Sequence, residues 1–108
     1  MTAPAMAFPA TAFKVLTHKQ WADFERERVF RGAPVDIADG YIHLSTAEQL
    51  EATIAKYFAG QTDLVVAEVD LACLGDAIRW EPARGGDLFP HIYAELPIHA
   101  VVSLQQRD

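Results

Sequence analysis

Downstream of Gly60 the chain has no segment with the length and periodicity of a helix, and this limits its fold more than any other feature. "DLVVAEVDL" (63–71) is an apolar, β-branched run that reads as a strand. "AIRWEP" (77–82) reads as a shorter strand stopped by Pro82. "ARGGDLFP" reads as a loop, because Gly85-Gly86 and Pro90 forbid a long regular element. "HIYAELP" and "IHAVVSLQQ" read as closing strands. Parallel strands need long crossover connections, usually helices. The second half supplies none, which disfavours a doubly wound parallel fold.

The helices fall in the first half. "AFKVLT" (12–17) is an apolar run that predicts a first strand. Thr17 can cap the following helix, "HKQWADFERER", whose Trp21, Phe24 and Arg28 or Val29 share one face. Arg31-Gly32 ends it, and "APVDIADG" reads as a connection with a turn at Asp39-Gly40. In "YIHLS", alternation puts Ile42 and Leu44 on the core side and Tyr41, His43 and Ser45 on the other. Ser45-x-x-Glu48 and Thr46-x-x-Gln49 are both capping-box patterns for a second helix. Its buried stripe is Ala47, Leu50, Ile54 and Tyr57/Phe58, and Gly60 is its stop. The expected fold is α+β: one domain, a mixed or antiparallel sheet, and two main helices in the N-terminal half.

A chain of 108 residues suits a single domain, here 12–108, with 1–11 as a loose N-terminal tail. That N-terminus has no basic start and no continuous apolar core, so it is a poor signal peptide, and no apolar run is long enough to span a membrane. The net charge of −6 and the scarcity of clustered Lys and Arg argue against nucleic acid. Cys73 is the single cysteine, so no internal disulfide forms, and a cytoplasmic setting is expected. With no basic neighbour, Cys73 reads as a core residue.

Two clusters carry possible chemistry. Tyr41, His43 and Ser45 line one side of a strand that runs into a helix N-terminus, where unpaired N–H groups can hold an anion. The bland alternative is that Ser45 and Thr46 cap the helix and His43 is a half-exposed strand residue. The second cluster is "RWEPARGGDLFPHIYAE". Arg79 and Arg84 flank Glu81, and His91, Tyr93 and Glu95 are again spaced by two. Here the alternative is a flexible loop with surface ion pairs of little energetic weight. No pair among His18, His43, His91 and Glu81 has zinc-like local spacing, so no metal is expected. There is no GxSxG elbow, no GxGxxG and no P-loop.

"KVLTHKQW", "PVDIADGYIHLSTAEQ", "YFAGQTDLVV", "RWEP…RGGDLFPHIY" and "LPIHAVVSL" together resemble the small bacterial family known as domain of unknown function 952, from about Phe13 to Leu104. That family looks like a compact relative of the ADP-ribosyltransferase fold. RNA 2′-phosphotransferases of the fold carry a first strand and helix with a Trp-containing turn, then a second strand reading roughly "HIHLA". "KVLTHKQW" and "GYIHLST" stand here in the same order and spacing. The resemblance implies that His43 faces the ribose or nicotinamide of NAD and is a catalytic candidate with Glu81, and that Ser45 holds the position of a small or hydroxyl residue. Of the transferases' first-strand His-Gly-Thr, only Thr17 carries over, because Leu16-Thr17-His18 stand in its place. Glu81 takes the role of the late catalytic glutamate, with Glu95 as the alternative. Tyr41, His91 and Tyr93 join the ligand-binding set, and Arg84 meets phosphate through its planar fork.

Two further readings stay open. One is a non-enzymatic domain that keeps the fold and binds a small molecule or a protein. The other is a structural subunit that exposes an apolar patch around Phe89-Pro90. No cofactor is certain, NAD being a possible substrate, and the sequence does not give the oligomeric state.

Overall fold

A computed structural model of the chain describes residues 8–107. Strand β1 (Thr11–Thr17) leads into helix α1 (His18–Glu27), followed by β2 (Val29–Phe30), α2 (Pro34–Asp39), β3 (Ile42–His43) and α3 (Leu50–Tyr57). The second half is β4 (Leu64–Asp70), β5 (Ile78–Pro82), β6 (Leu88–Ile92), β7 (Leu96–Pro97) and β8 (Val101–Arg107), with short 3₁₀ turns between. This is the α+β class, and every strand pairing is antiparallel. The strands form a sheet β1-β4-β8, a pair β2-β7 and a sheet β3-β6-β5. Phe13 and Ser45 exchange backbone N–H···O bonds of 2.7 and 2.9 Å, and the Leu44 N–H donates to the Pro90 carbonyl at 3.0 Å. Leu44-Ser45 therefore splices the edge of β1 to β6 and brings the two larger sheets side by side.

Both faces of the β1-β4 pair are covered. Ala12 and Leu16 of β1 join Val65, Ala67 and Val69 of β4 in the main core, against Phe24 of α1 and Phe30 of β2. Val15, Leu64 and Val66 point the other way and pack with Leu50, Ile54 and Phe58 of α3. Phe24 is 1% exposed and packs its ring against Trp21 and Phe30, so its burial stabilises the fold by roughly 2–3 kcal/mol.

Helix α1 begins where sequence places it. The Thr17 hydroxyl accepts from the Gln20 N–H, and the Gln20 side chain accepts from the Thr17 N–H. It ends one residue early, at Arg28 in the left-handed region (φ 70), which leaves Arg28 exposed and puts Val29 in β2. The segment expected to be a connection is instead helix α2. Pro34 sits in its first turn, and the Asp36 carboxylate accepts from the Ala33 N–H at 2.7 Å, a cap that Ala33 cannot supply for itself. Two glycines make this possible. Gly40 ends α2 at φ 90, and at Gly32 (φ 130) a Cβ would stand 3.0 Å from that of Asp36.

Other boundaries move for identifiable reasons. Helix α3 starts at Leu50, not at the first capping pattern, because Ser45 is tied to β1 and the Thr46–Gln49 reciprocal pair closes a turn first. Ala47 and Tyr57 are exposed, whereas Leu50 is buried. Pro90 does not break the chain. It lies inside β6, opposite Trp80, and the ladder uses its carbonyl. Phe89 and Pro90 are consequently buried, so the apolar patch expected there does not exist. "HIYAELP" is not one strand, since β6 stops at Ile92 and β7 pairs with β2. Cys73 is an exposed residue on a 3₁₀ turn, not a core residue. Of the expected N-terminal tail, Phe8 stacks on Trp80 at 4.3 Å and the Ala10 carbonyl accepts from the Leu71 N–H. Residues 1–7 lie outside the described residues.

Candidate functional site

The antiparallel register sets the site. His43 pairs with His91, Arg79 with His91, and Glu81 with Phe89. Paired residues, and those two apart, share a face of the sheet. Tyr41, His43, Glu81, His91 and Tyr93 therefore come to one side of β3-β6-β5. Ile42 and Ile92 lie on the other side, in the main core.

One anchor of this face is Asp36, whose side chain is 1% exposed. It accepts from the His43 N–H at 3.1 Å, from His43 Nδ1 at 2.7 Å, from the Ala33 N–H and from Lys14 Nζ. Burial pushes the carboxyl up, but the His43 bond, the Lys14 charge and the Ala33 N–H outweigh it and hold the pKa at about 2. Lys14 is buried too, and burial lowers its ammonium from the ordinary 10.5 although Asp36 pulls the other way. Nζ lies 2.9 and 3.1 Å from the two Asp36 oxygens and 3.1 Å from the His43 carbonyl, so the buried amine meets three acceptors. Asp39 completes the set, its carboxylate lying 2.9 Å from His43 Nε2. Both ring nitrogens of His43 thus meet carboxylates.

The second anchor is Glu81. One oxygen, Oε1, accepts from His91 Nδ1 at 2.7 Å and from the Tyr93 hydroxyl at 2.7 Å. These two bonds hold the Glu81 carboxyl below its ordinary 4.5, and the same carboxylate pushes the Tyr93 phenol up. The Arg79 guanidinium lies 4.5 Å from the Tyr93 ring centroid. Tyr41 packs into the middle, stacked on His91 at 4.1 Å and tilted against His43 at 4.6 Å and Tyr93 at 5.2 Å.

Beside this face opens a cavity of about 590 Å³, within the size range of small-molecule sites. Tyr41, His43, His91 and Asp39 form its polar side; Phe13, Val15, Leu44, Phe58 and Phe89 form apolar walls. At the α3 wall the Ser45 and Thr53 hydroxyls lie 2.7 Å apart. A smaller groove of about 370 Å³ lies across Tyr41, lined by Tyr93, Arg31 and Glu95 among others.

The profile described as Protein of unknown function (DUF952) matches residues 15–104. The chain belongs to that family. A crystal structure of protein CC0527 from Caulobacter crescentus superposes on this DUF952 chain with a TM-score of 0.88 and 40% identity, covering 91% of this chain and 86% of that one. A double mutant of CC0527 gives 0.87 at 38% identity, over 91% and 86% of the two chains. The solution NMR structure of CC0527 gives 0.80 at 39% identity, over 90% and 84%. No curated protein matches the chain.

The DUF952 chain brings together Tyr41, His43, Glu81, His91 and Tyr93, and it distributes the rest. Thr17 caps α1 and does not line either cavity. Ser45 lines the larger cavity but spends its hydroxyl on Thr53. Glu81 lines neither cavity and stands behind His91. Glu95, the alternative carboxylate, is exposed and paired with Arg31 at 3.0 Å. The side chain of Arg84 lies outside the described part of the structure. Among the described residues no group of three or more His, Cys, Asp or Glu could hold a metal ion, and no helix is long and apolar enough to cross a membrane. Sequence reading missed Asp36, Asp39 and Lys14. Lys14 carried a signal, since it alternates with Ala12 and Leu16 on the core side of β1, where a lysine demands a buried partner.

Proposed function

We propose that the cavity beside β3 and β6 binds an ADP-ribosyl compound, NAD being the first candidate, and that its chemistry is breakage of the nicotinamide–ribose bond. The observation that carries this reading is the convergence of Tyr41, His43 and His91 on one cavity with aromatic walls, with Glu81 and Tyr93 directly behind. A planar heteroaromatic ring fits against Phe13, Phe58 and Phe89, and ribose hydroxyls fit the polar side formed by Asp39, His43 and His91. The order of "KVLTHKQW" before "GYIHLST", with its likeness to the ADP-ribosyltransferase fold, points the same way. The transition state of such a cleavage is an oxocarbenium-like sugar, which a nearby carboxylate stabilises. Asp39 is the cavity-lining carboxylate suited to that task. Calorimetric titration with NAD, followed by a nicotinamide assay on prolonged incubation, tests the reading. Heat of binding with nicotinamide release is expected; the absence of both overturns it.

A second reading is favoured by a separate observation. Both ring nitrogens of His43 are taken by Asp36 and Asp39, and Glu81 lines neither cavity, so neither group is free to act directly on a bound molecule. A chain that binds such a ligand without transforming it gives heat in the same titration and no nicotinamide.

A further inference from the structure

The two register-paired histidines are not equivalent. At His43, Nδ1 and Nε2 lie 2.7 and 2.9 Å from Asp36 and Asp39. At His91, Nδ1 lies 2.7 Å from Glu81 Oε1, and among the described residues Nε2 has no hydrogen-bond partner. An ionised carboxylate only accepts, so Nδ1 of His91 carries the proton, and in the neutral ring Nε2 is left with its lone pair. The ring lines the larger cavity while only 3% of the residue is exposed. It is fixed on three sides: by Glu81 at Nδ1, by the Tyr41 ring stacked on its face, and by a backbone held between β3 and β5. Rigid placement of a lone pair at a cavity wall, with a carboxylate behind the opposite nitrogen, is the geometry of a general base and its orienting partner.

We propose that His91 Nε2 is the proton acceptor of this cavity, engaging a hydroxyl or amide N–H of the bound small molecule, with Glu81 as the positioning residue that fixes its tautomer. Its use in group transfer rests on the ADP-ribosyl reading above. There, the oxygen of water or of another hydroxyl acceptor bonds to C1′ of the ribose. The C1′–N bond breaks, and its electron pair leaves with neutral nicotinamide. The acceptor's proton passes to Nε2, and the resulting imidazolium is paired with Glu81. Charge and atoms balance with no further reactant.

The test uses the full chain labelled with ¹⁵N. Long-range ¹H–¹⁵N correlation at neutral pH reports which ring nitrogen bears hydrogen. The expected result for His91 is a protonated Nδ1 and a bare Nε2. Glu81→Ala should shift the ring toward the Nε2–H form, and Glu81→Gln, whose amide oxygen still accepts, should restore the original form. His43 is the internal control and stays unchanged, and the amide spectrum confirms folding. An Nε2–H ring in the wild-type chain, or a ring indifferent to Glu81→Ala, overturns the proposal. Should Glu81→Ala not fold, the wild-type spectrum alone decides. A second arm follows nicotinamide release from NAD, which His91→Asn should slow by roughly a hundredfold. Release at the wild-type rate in that variant overturns the proton transfer while leaving the NAD reading intact. The expected tautomer with no NAD binding removes the NAD reading and supports the acceptor site.

Discussion

His43 and His91 face each other across the β3-β6 ladder, their rings 5.4 Å apart, and each sets Nδ1 2.7 Å from a carboxylate oxygen. The carboxylates come from different layers. Asp36 belongs to the short helix before β3, and Glu81 to the strand on the far side of β6. The two anchors also differ in depth: the Asp36 side chain is 1% exposed and that of Glu81 is 34% exposed. Asp36 therefore bears on stability, whereas Glu81 bears on how one ring is held.

Replacing Asp36 should destabilise the fold strongly. Asp36→Asn leaves the buried Lys14 ammonium without its counter-charge and weakens the ties to His43 and Ala33. Breaking one side of a buried pair costs about 3 kcal/mol. Lys14→Met with Asp36→Asn in the same chain should cost clearly less than the two single losses added together. Urea unfolding of the three variants checks this; strictly additive losses would show that the pair is not coupled.

Acid should uncover the same residue. The Asp36 carboxyl sits at about 2 in the folded chain against an ordinary 3.8, so the unfolded chain binds its proton more tightly. The stability this contributes is complete above about pH 4 and is lost as pH falls toward about 2, amounting to about 2 kcal/mol. Urea midpoints measured from pH 5 downward should fall in the wild-type chain. In Asp36→Asn the fall should be shallower, and parallel slopes in the two proteins would refute the assignment.

Thr17 should matter for folding and not for ligand. Its hydroxyl accepts from the Gln20 N–H at 3.1 Å at the start of α1. Thr17→Ala removes that cap and should lower stability by about 1 kcal/mol, and Thr17→Ser should restore most of it. Equal NAD titration curves for wild type and Thr17→Ala are expected. A change in affinity without a change in stability would return Thr17 to the ligand-binding set.

The parts of the site differ in how far the chain alone specifies them. The shared face of Tyr41 and His43, and that of His91 and Tyr93, follow from a period of two and need no partner strand. The bond from Glu81 to His91 is diagonal across β5-β6, and it exists because Glu81 stands opposite Phe89. Register of that kind depends on the patterns of both strands and the turn between them, which neither strand shows alone. The Lys14–Asp36 pair spans 22 residues between an apolar run and a segment that reads as a connection. Nothing local in either stretch names the other. Pro90 misleads for a related reason: its missing N–H forbids a strand only where the ladder requires that donor, and here the ladder uses the carbonyl.

Tyr41 gives the sharpest test of ligand geometry. It lines both the larger cavity and the smaller groove, and its ring is stacked on His91 at 4.1 Å. The ring face, and not the phenol oxygen, is what the surrounding aromatic groups contact. Tyr41→Phe keeps that face and should leave NAD affinity within about twofold. Tyr41→Ala removes it, merges the two cavities and frees the His91 ring to tilt. Loss of an aromatic contact of about 1.4 kcal/mol corresponds to a tenfold weaker Kd. Calorimetric Kd values for the two variants separate the possibilities. If Tyr41→Phe weakens binding as much as Tyr41→Ala, the hydroxyl is the ligand contact and the stacked arrangement is not what the ligand uses.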